Sequence, residues 1–60
     1  MTRIEFVMSP KTDVETVSML DERYMPVEQF LAQVVRNGVI FENKFFLPHR
    51  IKEAIIEEIK

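Results

Sequence analysis

One Gly, at position 38, divides the chain into two differently patterned halves and limits the ways it can fold. Before it, residues 26–37 carry Val27, Phe30, Leu31 and Val34 at the i, i+3, i+4, i+7 spacing of a helix with one apolar face, and Val35 widens that face. Pro26 suits the first helical position, where its missing N–H costs nothing. Glu28 in the first turn and Arg36 in the last both favour the helix dipole. Asn37-Gly38 ends the helix, and Gly38 is expected to supply a left-handed cap. In that conformation Asn is a better substitute than Val.

After Gly38 come Val39-Ile40-Phe41, then Glu42-Asn43, then Lys44-Phe45-Phe46-Leu47, which reads as a second hairpin. A two-residue loop pairs Phe41 with Lys44 and Ile40 with Phe45; a three-residue loop pairs Phe41 with Phe45. Asn43 tolerates positive φ, which suits the two-residue turn. In either register both faces of the hairpin carry large apolar groups. One face can rest on the helix, and the other needs a further covering element.

Upstream, residues 3–8 alternate Ile4, Phe6 and Met8 with Arg3, Glu5 and Val7, the period-two signal of a half-buried strand. Ser9-Pro10-Lys11-Thr12-Asp13 has turn chemistry. Residues 14–20 read as a strand closing a first hairpin, since Val14, Thr16 and Val17 favour strand; a short helix capped by Asp13 is the other reading. Downstream of Pro48, residues 49–60 place Ile51, Ile55 and Ile59 at i, i+4, i+8, and Ala54-Ile55-Ile56 run consecutively, which breaks strand alternation. This segment is expected to be a second helix, although His49, Arg50 and Lys52 at its start and Glu57 and Glu58 near its end oppose the helix dipole. The fold class is therefore α+β: a single small domain of order β-β-α-β-β-α, with antiparallel pairing and the helices on one face.

Sixty residues make a marginal monomer. At this size apolar burial and the entropy of ordering nearly cancel, and disulfides, metals or partners usually close the gap. The chain has no Cys and one His, so neither a disulfide nor a structural zinc site is expected. With 47% hydrophobic residues, association is the device that remains. The expectation is a homodimer through the hairpin and the C-terminal segment, with Ile40, Phe45, Phe46, Ile55, Ile56 and Ile59 as candidate interface residues. Lack of Cys suits a cytoplasmic setting. Neither a signal-peptide h-region nor an apolar run long enough to span a membrane is evident.

Motifs that carry chemistry are sparse. Lys44, His49, Arg50 and Lys52 form a basic cluster that, beside free N–H groups at a helix start, would hold an anion or a nucleic-acid phosphate. Net charge is −2, far from the basic balance of a dedicated nucleic-acid binder, so nucleic acid is the lesser expectation. Phe41, Phe45 and Phe46 near Lys44 and Arg50 could stack bases, but core packing is the commoner use of Phe. Met1, Met8, Met19 and Met25 fit gap-filling in a small core better than an adaptable surface. His49 lacks a convergent nucleophile and orienting group, Asp21-Glu22 and Glu57-Glu58 are adjacent and do not face one another on a helix, and one Gly cannot build a phosphate loop. The expectation is a non-enzymatic protein-interaction module without a cofactor, a homodimer that regulates or inhibits a larger protein; the alternative is a weak anion or single-stranded nucleic-acid binder.

Overall fold

The computed structural model describes residues 1–59. Strand β1, Thr2–Met8, is the centre of a three-stranded antiparallel sheet. Its alternation does what the sequence requires: Thr2, Ile4, Phe6 and Met8 are buried on one face, and Arg3, Glu5 and Val7 lie half-buried on the other. Strand β2, Val17–Leu20, pairs with β1 in the register Glu5 opposite Val17 and Thr2 opposite Leu20. The segment 14–20 is therefore strand rather than helix, but regular pairing begins only at Val17. Thr16 extends it. Its carbonyl accepts the Phe6 N–H at 2.8 Å, and its buried hydroxyl donates back to the Phe6 carbonyl. Both backbone groups of Phe6 are thereby satisfied where the regular ladder stops.

From β2 the chain turns through Asp21-Glu22-Arg23. The Asp21 carboxylate accepts from the Arg23 backbone N–H at 3.0 Å and from its guanidinium at 2.7 Å. The Asp21 carbonyl accepts the Tyr24 N–H. Helix α1, Val27–Asn37, follows; Pro26 sits one residue outside it, in extended conformation, with its carbonyl accepting the Phe30 N–H. Val34 is buried, and Val27, Phe30 and Leu31 pack against the core, as the spacing predicts. Val35 does not widen this face. It is 74% exposed, because its position on the helical wheel turns it away from the sheet.

Strands β3, Val39–Phe41, and β4, Lys44–Phe46, form the second hairpin, with Phe41 opposite Lys44 and Ile40 opposite Phe45. The loop is the two-residue one. Positive φ falls on Glu42 (56°), the first loop position, rather than on Asn43. Phe41 links the hairpin to the main sheet: its ring lies 5.7 Å from that of Phe6 and 6.0 Å from that of Phe46, and Phe30 closes on Phe6 from the helix at 6.3 Å.

The largest correction is at the C-terminal segment. Residues 49–60 are not a helix. Pro48–Arg50 make a single 3-10 turn, and Ile51–Glu58 form strand β5, antiparallel to β1 on the side opposite β2. The order along the sheet is β2-β1-β5. Lys60, the last residue of the expected helix, lies outside the described residues. The apolar spacing misleads because of a bulge. Met8 faces Ile51 and Val7 faces Glu53, so Lys52 is an extra residue that shifts the alternation by one. Ile51, Ala54 and Ile56 consequently share the face of Met8, Phe6 and Ile4, while Glu53, Ile55 and Glu57 share the other. Consecutive Ala54-Ile55-Ile56 then means an apolar group on each face. The reversed charge order, costly in a helix, carries no such penalty in a strand, which has only a small net dipole.

Gly38 needs a second correction. Its N–H does close α1 on the Val34 carbonyl at 2.8 Å, but its φ of 86° is joined to a ψ of −170°. That is the extended mirror region open essentially to Gly alone, not the left-handed helical region that Asn tolerates. A Cβ there would stand 2.4 Å from the Phe46 carbonyl oxygen, 3.1 Å from Phe45 Cζ and 3.2 Å from Pro48 Cδ. We predict that Gly38→Asn and Gly38→Val lose stability alike, each by about 2 kcal/mol or more. Urea denaturation checks this, and an Asn variant within about 0.5 kcal/mol of the native chain would contradict it.

Thr16→Val keeps the shape of a buried side chain but removes its hydroxyl. The Phe6 carbonyl then loses a partner where water cannot replace it, and a cost of about 1–2 kcal/mol is expected in the same measurement.

Candidate interaction surfaces

The buried core comprises Ile4, Phe6, Met8, Val34, Val39, Phe41 and Phe46. Outside it, large apolar side chains gather on two elements. On the β3–β4 hairpin, Ile40 is 68% and Phe45 56% exposed, and they are direct cross-strand partners. The hairpin alternation explains this. Val39, Phe41 and Phe46 turn inward, so Ile40 and Phe45 turn outward, where they line an open groove of about 380 Å³ with Phe30, Val34 and Gly38. On β5, Ile55 and Ile56 are half-exposed on opposite faces of the strand, and Ile59 just beyond it is partly exposed. Ile55 lies beside Glu5 on the outer face, and Ile56 beside Ile4 on the inner face at its rim.

Of the six candidate interface residues, five are therefore exposed. Phe46 is not: it is 8% exposed and packed on Phe41. The hairpin register that exposes Phe45 necessarily buries its neighbour, a distinction that two consecutive Phe residues do not disclose. Val35 and Leu47 are exposed apolar residues that sequence reasoning did not place at a surface.

The basic cluster is differently arranged from expectation. Without a C-terminal helix, no helix N-terminus stands at residues 48–52, and the 3-10 turn Pro48–Arg50 is too short to offer one. Lys44 belongs to β4 and His49 to the turn. The Arg50 Nε donates to the Ser9 carbonyl at 3.1 Å, so its side chain ties the turn to the end of β1. Lys52, in the bulge, lines an open groove of about 660 Å³ with Lys11 but also with Glu5 and Glu15; Lys44, His49 and Arg50 do not line it. Positive charge is not concentrated there. Stacking bases on Phe41, Phe45 and Phe46 also fails geometrically, since only Phe45 is exposed.

Electrostatic pairing is confined to the surface. Arg3 lies 3.7 Å from Glu5 and 3.9 Å from Glu15 on the outer face of the sheet. The Arg23 guanidinium, followed by its backbone N–H, holds the Asp21 carboxyl below the usual carboxylate range, and Asp21 raises Arg23 in turn. Arg23 is exposed and Asp21 half-buried, and this local link orders a turn and does not mark a reactive group. Among the described residues, no three His, Cys, Asp or Glu converge in a way that would hold a metal ion, and no helix is long and apolar enough to cross a membrane.

Comparison with known proteins finds no matching family model, no similar curated protein and no similar solved structure.

The two consecutive Phe residues give a sharp prediction. Phe46→Ala is expected to cost about 3–5 kcal/mol, comparable to the entire stability of such a domain. Phe45→Ser should change monomer stability by no more than about 0.5–1 kcal/mol. Denaturation at low protein concentration separates the two.

Proposed function

We propose that this chain is a cytoplasmic, non-enzymatic protein-interaction module that works as a homodimer and regulates or inhibits a larger protein. The observation that carries the reading is the amount of apolar surface left open. Ten large hydrophobic side chains are exposed among the described residues, against seven buried in the core. The accessible surface of 4663 Å² exceeds the roughly 4,100 Å² expected of a folded monomer of 7.1 kDa. The excess, about 560 Å², is below the ~800 Å² that each partner buries in a standard interface but of the same order.

Two separate elements hold this surface, and that favours two kinds of contact. The edge strand β5 is suited to another copy. The outward face of the hairpin, Ile40 and Phe45, is then left for the larger protein. An Ile40-Phe45 pair at a non-hydrogen-bonded position sets its side chains close together and makes a compact apolar knob.

Light scattering across a dilution series tests the reading. A dimeric mass at micromolar concentration is expected, with a melting temperature that rises as protein concentration rises, because association stabilises only the folded state. A strictly monomeric mass and a concentration-independent melting temperature would contradict it.

A further inference from the structure

We propose that the open edge of β5 pairs antiparallel with β5 of a second copy, across a two-fold axis at Ile55, and so continues the sheet from one copy into the other. The proposal rests on the homodimer reading and gives it an interface and a register.

The backbone sets the terms. The Ile59 N–H donates to the Met1 carbonyl at 2.9 Å, and the Ser9 N–H donates to the Arg50 carbonyl at 2.7 Å, whereas the Phe6 N–H donates to Thr16 on the β2 side. In an antiparallel ladder successive residues direct both backbone groups to alternate sides. The odd-numbered residues of β1 thus bond to β5 and the even-numbered ones to β2. With the register Glu5 opposite Ile55 and Arg3 opposite Glu57, residues Glu53, Ile55 and Glu57 turn their N–H and C=O groups to β1. Ala54, Ile56 and Glu58 turn theirs to the open side, where β5 has no neighbour. This is a row of free donors and acceptors with no Pro in it, blunted only at its start by the Lys52 bulge.

The side chains favour a second copy of the strand. A two-fold axis perpendicular to the sheet keeps inner faces on the same side, so each residue meets one of its own face. With Ile55 on the axis, it meets its own copy at a non-hydrogen-bonded position, where side chains approach closest. Ala54 exchanges both backbone bonds with the second copy's Ile56, and symmetry repeats the exchange. Moving the axis to Ile56 sets Glu57 against Ile55 and Glu58 against Ala54. Moving it to Ala54 sets Glu53 against Ile55. Only the axis at Ile55 matches apolar with apolar on both faces. It has one unfavourable contact, repeated by symmetry: Glu53 opposite the second copy's Glu57.

That contact supplies a test. Glu53→Lys turns two like-charge pairs into opposite-charge pairs and should tighten the dimer roughly tenfold at low salt, an advantage that shrinks as salt rises. The chain has no Cys, so Ile55→Cys carries a single thiol. Mild oxidation should link it rapidly into a covalent dimer, since the expected Cα separation of about 4.5 Å admits a disulfide. Ile40→Cys, more exposed but on the hairpin, should link much more slowly. A dimer by light scattering in which Ile55→Cys links no faster than Ile40→Cys and Glu53→Lys binds no tighter would overturn the β5 pairing and leave the homodimer reading standing. A strict monomer, the result expected if the edge serves a strand of some other protein, would overturn both.

Discussion

Strand β1 is the member on which the remainder of the structure rests. Among the described residues it is the only strand with a neighbour on each side, and its inward residues are the floor of the core. Ile4 is wholly excluded from solvent, and Phe6 carries the aromatic contacts that bring in both the helix and the hairpin. Helix α1 and the β3–β4 hairpin do not pair with this sheet; they lie over one face of it. Their position depends on side-chain packing against Phe6 and on the backbone course at Gly38. Hydrogen bonding specifies the sheet, and aromatic packing specifies what covers it.

The covering layer is small, and this explains the distribution of exposed apolar groups. One helix and one short hairpin suffice for the inner face of β1, but they leave β2 half-buried and the rim at β5 incompletely covered. Ile56 shares the inner face with Ile4 and is still half-exposed. The hairpin, three residues on each strand, is too narrow to be sandwiched; it buries one side and presents the other.

Much of this is legible in the sequence. The alternation in β1 and the apolar spacing of α1 are local patterns with one reading each, and the structure has them; of the two registers open to the hairpin, the structure has the two-residue loop that Asn43 favours. The C-terminal strand is less legible because one inserted residue, Lys52, converts strand alternation into a spacing that imitates a helix. A signal was nevertheless present: the charge order of residues 49–58 opposes a helix dipole at both ends, which counts against a helix. Local pattern also cannot see that β1 has a second edge in need of a partner. Gly38 is a similar case. Its place after the helix is evident, but its close approach to Phe46 and Pro48, which come later in the chain, is not. For the candidate surfaces, composition signals that apolar groups must be exposed, whereas exposure of Phe45 and burial of Phe46 both depend on the hairpin register. The helix start on which Lys44, His49, Arg50 and Lys52 were expected to act is absent, because the segment is a short turn followed by a strand.

The placing of β5 beside β1 has a consequence in time. The pairing joins residues some fifty positions apart, Thr2 with Glu58 and Ile4 with Ile56. A ladder of such wide sequence separation forms late, because the chain must close a long loop before any of its contacts can repay the lost entropy. During synthesis, at about 5–20 residues per second, β1 emerges first and its second partner last. For those seconds the central strand of the sheet has an unpaired edge. The hairpin with β2 and the packing of Phe30 and Phe41 on Phe6 are then what shelter it, so the order of elements along the chain also sets the order in which β1 is covered.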